Sequence, residues 1–197
     1  MDTRDRDQRP PMSRRRALTA MAGAAAAVAG LAWMRQSQPR KTPGETTRLA
    51  GEATPVFYTP AYVGAAHVFE TTRKAAWVAE SLIAQPIAGV QLRANRALDP
   101  PALARCHDPA YIEAVRRGEP RALAQSQGFA WDPGLWPMVL ASNGGLLAAA
   151  FAARQHGVAG ALASGMHHAR RDRGAGFCTF NGLAIAALAM LAAGARR

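Results

Sequence analysis

The sequence predicts an α/β domain built on a mainly parallel sheet. Short apolar runs of strand length, Val56-Phe57-Tyr58, 90–92 and 158–163, stand between proline or glycine punctuation. Alanine-rich stretches of helical length, above all 142–155 and 181–193, lie between and after them. Strand, helix, strand, helix is the order of a parallel sheet, because parallel neighbours need a long crossover and a helix supplies it.

Taken in order, residues 1–35 read as a targeting or anchoring segment rather than as fold. Ser13-Arg14-Arg15-Arg16-Ala17-Leu18 leads into eighteen residues without a charge, Ala17 to Met34. Paired arginines before a mildly apolar stretch resemble a twin-arginine export signal, which makes an exported or periplasmic location the expectation and a cytoplasmic one the alternative. Any membrane contact is expected only through this segment. Residues 36–54, rich in Pro, Thr and charge, read as a linker, and 55–197 as the folded domain.

The domain opens with the strand at 56–58, followed by a loop to Phe69 carrying a lone histidine, His67. A helix is expected from about 71 to 84 with Ala75, Val78, Ala79 and Leu82 on one face, stopped by Pro86. After the strand at 90–92 come two short helices, 101–106 and 108–117. Asp108 suits the second one's N-cap, Pro109 its first turn and Gly118 its left-handed stop. Tyr111, Ala114 and Val115 are its buried side, and His107 reads as structural. Residues 118–142 show little periodicity and read as a long loop, the kind that carries function. The helix at 142–155, stopped at Gly157, then leads to a buried strand, 158–163, that delivers Ser164 to His168 at its carboxyl end. The last helix stops at Gly194.

At 197 residues the chain has room for one ordinary domain. A hydrophobic share of 49% indicates a packed core. The net charge of +11 raises nucleic-acid binding, but more than half of the basic excess sits in the first quarter of the chain: ten Lys and Arg against four Asp and Glu through Arg48, fourteen against nine beyond it. No basic stripe interleaved with aromatics follows, so no nucleic-acid partner is expected. The two cysteines, Cys106 and Cys178, have no metal-ligand spacing, and a disulfide between them is open.

The most informative stretch is Ser164 to Gly182, where His167 and His168 stand together, followed by charges, a glycine-framed Phe177-Cys178 and a second aromatic. Side chains of neighbouring residues on an extended backbone point opposite ways, so the pair would be an awkward metal clamp on a strand. Two imidazoles at a strand end suit proton handling near neutral pH. Gly165, Gly174 and Gly176 permit the tight turns such a junction needs. Asp132, between Trp131 and Pro133 on the long loop, either grips a substrate backbone at a pocket rim or simply starts an Asp-Pro-Gly turn.

Gly165-Met166-His167-His168-Ala169-Arg170-Arg171-Asp172 followed by Ala175-Gly176-Phe177-Cys178-Thr179-Phe180-Asn181 resembles the active-site segment of the histone deacetylase and acetylpolyamine amidohydrolase family. Trp131-Asp132-Pro133, about ten residues ahead of Asn143-Gly144-Gly145 taken as a helix start, matches that family's substrate-gripping loop, and Phe57-Tyr58 the entry to its first strand. The resemblance covers roughly residues 55–197. It implies a three-layer arginase/deacetylase-like α/β fold, incomplete at its C-terminal side, and zinc-dependent hydrolysis of an acetylated amine, acetyl-lysine or an acetylpolyamine-like amide.

By the same resemblance His167 and His168 are the catalytic histidines, one mainly general base and the other electrostatic or a general acid. Gly176 through its carbonyl and Phe177 through its ring line the acyl tunnel, and Asp132 accepts hydrogen bonds from substrate at the mouth. The family's zinc ligands, an Asp-x-His and a further aspartate, and its oxyanion tyrosine have no counterpart here. No Asp or Glu follows Asp172, no His follows His168, and the last tyrosine is Tyr111. The expectation is therefore the amino-terminal part of the domain, holding no metal ligand of its own and inactive alone. A non-catalytic acyl-amine or partner-binding module of the same fold is the alternative.

Overall fold

The computed structural model describes residues 53–65 and 73–196. The expected leader and most of the linker, 1–52, and His67 lie outside the described residues. The sheet is parallel and ordered β2-β1-β3. Strand β1 (Thr54–Phe57) sits in the middle, with Val56 opposite Leu92 of β2 (Val90–Arg93) on one side and opposite Gly160 of β3 (Gly160–Ala161) on the other. Helix α1 (Lys74–Ala84) falls in the first crossover. The second contains α2 (Pro100–Leu103), α3 (Pro109–Arg117), α4 (Arg121–Ala124) and the long α5 (Leu135–His156), and α6 (Gly182–Ala192) follows β3.

The core helix is α5. Leu135, Met138, Val139, Leu140 and Leu147 are buried along it, and it packs against all of β1, β3 and α6. Its length and apolarity would suit a membrane span, but most of it is buried within the protein. The helix begins at Leu135, seven residues before the expected start, because Pro137 lies in the first turn, where a missing N–H leaves no bond unmade. Asn143-Gly144-Gly145 is thus the middle of a buried helix rather than its beginning. The two glycines leave room for the chain to cross: a β-carbon on Gly144 would strike the backbone of Arg96 to Leu98, and one on Gly145 the Tyr62 hydroxyl. Leu98 donates its N–H to the Leu140 carbonyl at 2.8 Å, and Tyr62 Oη donates to Asn95 Oδ1 at 2.7 Å.

Other expectations hold with shifts. Helix α3 begins at Pro109 directly after Asp108, is stopped by Gly118 with φ +82°, and buries Tyr111, Ala114 and Val115. The region read as one long loop contains α4 and the opening turns of α5. Strand β3 is two residues long, not six, and Val158 is exposed. On α1 only Ala79 of the expected face is fully buried, because the helix meets the rest of the domain along a narrow strip at the Pro60–Val63 turn. Both cysteines are free thiols.

Candidate active site

Beyond β3 the chain turns sharply, and that turn decides where the histidines go. Met166 has φ +54°, a left-handed conformation unusual for a residue with a β-carbon. The Ala169 N–H closes the turn on the Met166 carbonyl at 3.3 Å. The consequence corrects the strand-based expectation: the His167 and His168 rings lie side by side, centroids 4.0 Å apart and planes 40° apart, instead of on opposite faces. Both rings are exposed.

A second tight turn faces the pair. Ala175 and Cys178 exchange both backbone hydrogen bonds, at 3.1 and 2.8 Å, around Gly176 and Phe177, whose φ values are +51° and +64°. Positive φ at both central residues is the signature of a type I′ hairpin turn, easy for glycine and strained for phenylalanine. The strain is held by the Phe177 N–H, which donates to the Gln127 carbonyl at 2.8 Å. The Phe177 ring is left half exposed, 5.2 Å from that of Phe129. Gly176 abuts His168: a β-carbon there would sit 3.0 Å from the imidazole Cγ.

The two turns are braced from behind by α3 and the end of α4. His107 is buried and spans the segment. Its Nδ1 pairs with the Arg170 carbonyl at 2.8 Å, and its Nε2 accepts from the Asn181 N–H at 3.0 Å. That network assigns the neutral tautomer with the proton on Nδ1, and burial holds the imidazole below the usual histidine range. Asp108 donates its N–H to the Arg171 carbonyl and pairs through its carboxylate with the Arg171 guanidinium at 2.7 Å. Tyr111 Oη donates to the Thr179 carbonyl at 2.6 Å, and burial pushes its phenol well above the ordinary tyrosine range. The Gly174 N–H donates to Ser126 Oγ at 2.9 Å.

Asn181 joins this bracing to the histidines. Its Oδ1 caps α6 by accepting from the Ala184 N–H at 3.0 Å, and its Nδ2 donates to the carbonyls of His167 and Ala169 at 3.4 and 3.2 Å. Asparagine ahead of an apolar helical run is a cap signal that could have marked it. The role of His107 had no such local signal.

Of the residues singled out in the sequence, the fold brings together His167, His168, Gly176 and Phe177. Asp132 sits in its own turn, its Oδ1 accepting from the Gly134 N–H at 2.6 Å, which is the turn-forming behaviour anticipated as the simpler reading. Behind Gly176 and Phe177 runs a groove of about 390 Å³ lined largely by apolar side chains, among them Met138, Val139, Leu162, Ala163 and Met166. Neither Asp132 nor the histidine pair lines it.

Comparison with known proteins identifies the family. The family model for the histone deacetylase domain matches residues 67–197. The chain belongs to the histone deacetylase domain family. It is 40% identical over 81 residues to an uncharacterized protein of Picosynechococcus sp., a match covering 41% of this chain and 27% of that one. The crystal structure of the HDA15 HD domain resembles it with a TM-score of 0.62 at 21% identity, over 75% of this chain and 45% of that chain, a likeness of fold. The chain thus spans about a quarter of the length of the first relative and less than half of the solved one. Its open three-stranded parallel sheet is an incomplete version of the family's α/β architecture.

The histone deacetylase family is in general zinc-dependent. A catalytic zinc site takes three protein ligands, and among the described residues no three His, Cys, Asp or Glu side chains come together.

Proposed function

We propose that this histone deacetylase-family chain supplies the proton-handling and acyl-binding part of a deacetylase-type amide hydrolase acting on acetylated amines, acetyl-lysine or acetylpolyamine-like amides. The observation that carries the reading is the paired His167 and His168 rings set against Gly176 and Phe177. Amide hydrolysis needs a proton removed from the attacking water and a proton delivered to the leaving nitrogen. Adjacent imidazoles can divide those two tasks, one accepting and one donating or stabilising charge. Gly176, through its carbonyl, and Phe177, through its exposed ring, flank the acyl group. Asp132 serves at the mouth, accepting hydrogen bonds from the substrate backbone with the oxygen its turn leaves free.

On this reading zinc would acidify the attacking water and polarise the amide carbonyl when bound. The segments around the histidines and around Gly176 and Phe177 are held by hydrogen bonds to His107, Ser126 and Asn181.

The test is release of free amine from an acetyl-lysine peptide and an N-acetylated polyamine, in zinc, by the chain extended through the reading frame downstream of Arg197. Turnover is expected, and it should fall at least about a hundredfold in His167→Ala and His168→Ala, the scale of a lost acid–base group. Turnover unaffected by either substitution would remove the basis of the proposal.

A further inference from the structure

We infer that the edge of the sheet at which its strands begin rests on an anionic lipid bilayer, a contact made by the domain itself in addition to any made by the leader. Three exposed aliphatic side chains stand at that edge: Ile83, Ile87 and Val158, 71%, 57% and 58% exposed. They come from different segments. Ile83 lies in the last turn of α1, Ile87 in the turn leading to β2, and Val158 between α5 and β3. Parallel pairing brings these segments to one end of the sheet. The Val90 N–H closes the turn on the Ile87 carbonyl at 3.1 Å, the Thr54 N–H at the start of β1 donates to the Gly89 carbonyl at 2.7 Å, and β3 pairs along the other side of β1. With neighbouring strands about 5 Å apart, the three strand entries fall within about 15 Å of one another.

The occupant follows from how the chain reaches this edge. Strand β1 is entered from residues 35–53, which hold four Lys and Arg against two Glu, and these follow the uncharged stretch Ala17 to Met34. Exposed Arg154 and Arg196 belong to the same edge, where the Arg154 guanidinium joins the ends of α5 and α6 through the Ala193 carbonyl at 2.9 Å. Against these cations α1 carries one acid, Glu80. Aliphatic side chains rimmed by cations suit the boundary of a bilayer, the former entering among the acyl chains and the latter staying with the phosphates. A second copy of the chain on the same patch would set like charges against each other. The nineteen residues from 35 to 53 reach at most about 65 Å. Tethering through them makes docking intramolecular, so a patch too small to hold a free domain suffices. His167 and His168 follow the opposite, carboxyl end of β3, so this docking leaves them facing solution.

The experiment is flotation of the 197-residue chain with vesicles of phosphatidylcholine alone or mixed in equal parts with phosphatidylglycerol. Binding should be at least about tenfold stronger to the mixed vesicles. Ile87→Glu with Val158→Glu, both at exposed positions, should weaken it by at least about tenfold with an unchanged circular dichroism spectrum. Leader insertion alone would also float the chain, so a second readout locates the patch. In a Trp33→Phe background, which removes the leader's tryptophan, Ile87→Trp and Val158→Trp should each add emission that brominated phosphatidylcholine quenches.

Quenching of the added emission supports the inference whether or not the leader inserts. Vesicle-bound protein in which neither added tryptophan is quenched overturns it and leaves the leader as the sole contact. A chain that fails to bind the mixed vesicles, or that buries the added tryptophans by pairing with a second copy, overturns it as well.

Discussion

The His168 imidazole lies against the α-carbon of Gly176, so close that a β-carbon there would be 3.0 Å from its Cγ. Glycine is required at this position twice over, by that contact and by φ +51°. Gly176→Ala should therefore displace His168 and strain the turn together. A left-handed alanine costs about 1 kcal/mol, which for a domain of this size lowers the melting temperature by about 2–4 °C. Amine release should fall far more than this, at least about tenfold, since small misplacements of a catalytic group are amplified in rate. Melting curves and turnover on the same preparation separate the two effects.

Asn181 offers a cleaner probe of how the pair is held. Asn181→Asp keeps the oxygen that caps α6 through the Ala184 N–H but loses the Nδ2 donor to the His167 and Ala169 carbonyls. Stability should stay within about 1 kcal/mol of the parent, since the cap survives, while turnover falls and NMR resonances of both imidazoles shift. Asn181→Ala should lose the cap as well and melt lower than the aspartate variant. If the aspartate variant is fully active, Asn181 acts only as a cap.

How far the sequence carried the fold depended on whether the signals were local. Asp108-Pro109 before α3, Gly118 after it, and Asn181 before α6 each sit next to the feature they announce, and those helices were legible. The start of α5 was not, because Trp136-Pro137 beside an Asp-Pro-Gly turn reads as loop unless the first helical turn's tolerance of proline is weighed. The residues proposed for the site stand in a contiguous motif, but their geometry was not legible. No rule from composition places Met166 at positive φ, and the turn it makes sets two rings expected to diverge side by side, tilted by 40°. The bracing by His107 reaches residues 63 and 74 positions away, beyond any local pattern.

That bracing histidine makes stability pH-dependent. His107 is held neutral in the folded protein with its titration lowered by burial, partly offset by the carbonyls of Arg170 and Arg171 and the Asp108 carboxylate, while the Arg171 guanidinium works in the same direction as burial. A lowered folded value means that the unfolded chain binds the proton first. The contribution is therefore complete above the unfolded value of about 6.5 and is lost as pH falls from there through the folded value. Melting temperatures should decline between about pH 6.5 and 5, with hydrogen exchange rising first around residues 166–181. His107→Gln, which retains a donor and an acceptor but does not titrate, should flatten that decline, and a decline of undiminished size in the variant would assign it to other groups.

Helix α6 carries the last prediction. Its sequence, GLAIAALAMLA, has no polar side chain on any face, yet only Gly182, Ile185, Ala186 and Ala189 are buried, against α5. Leu183, Leu188 and Leu191 are 51%, 36% and 59% exposed. A helix apolar all round is ordinarily covered all round, and an uncovered row of leucines drives association in water. The 197-residue chain alone should therefore bind a hydrophobic dye and self-associate at micromolar concentration, as seen by light scattering. Leu191→Glu should reduce both with little change in the melting temperature, because that side chain lies mostly outside the buried face. Leu183 is left in place in that variant, since its side chain packs under Gly165 at the approach to the histidines. A monomeric, dye-silent parent chain would show that this face is already covered in solution.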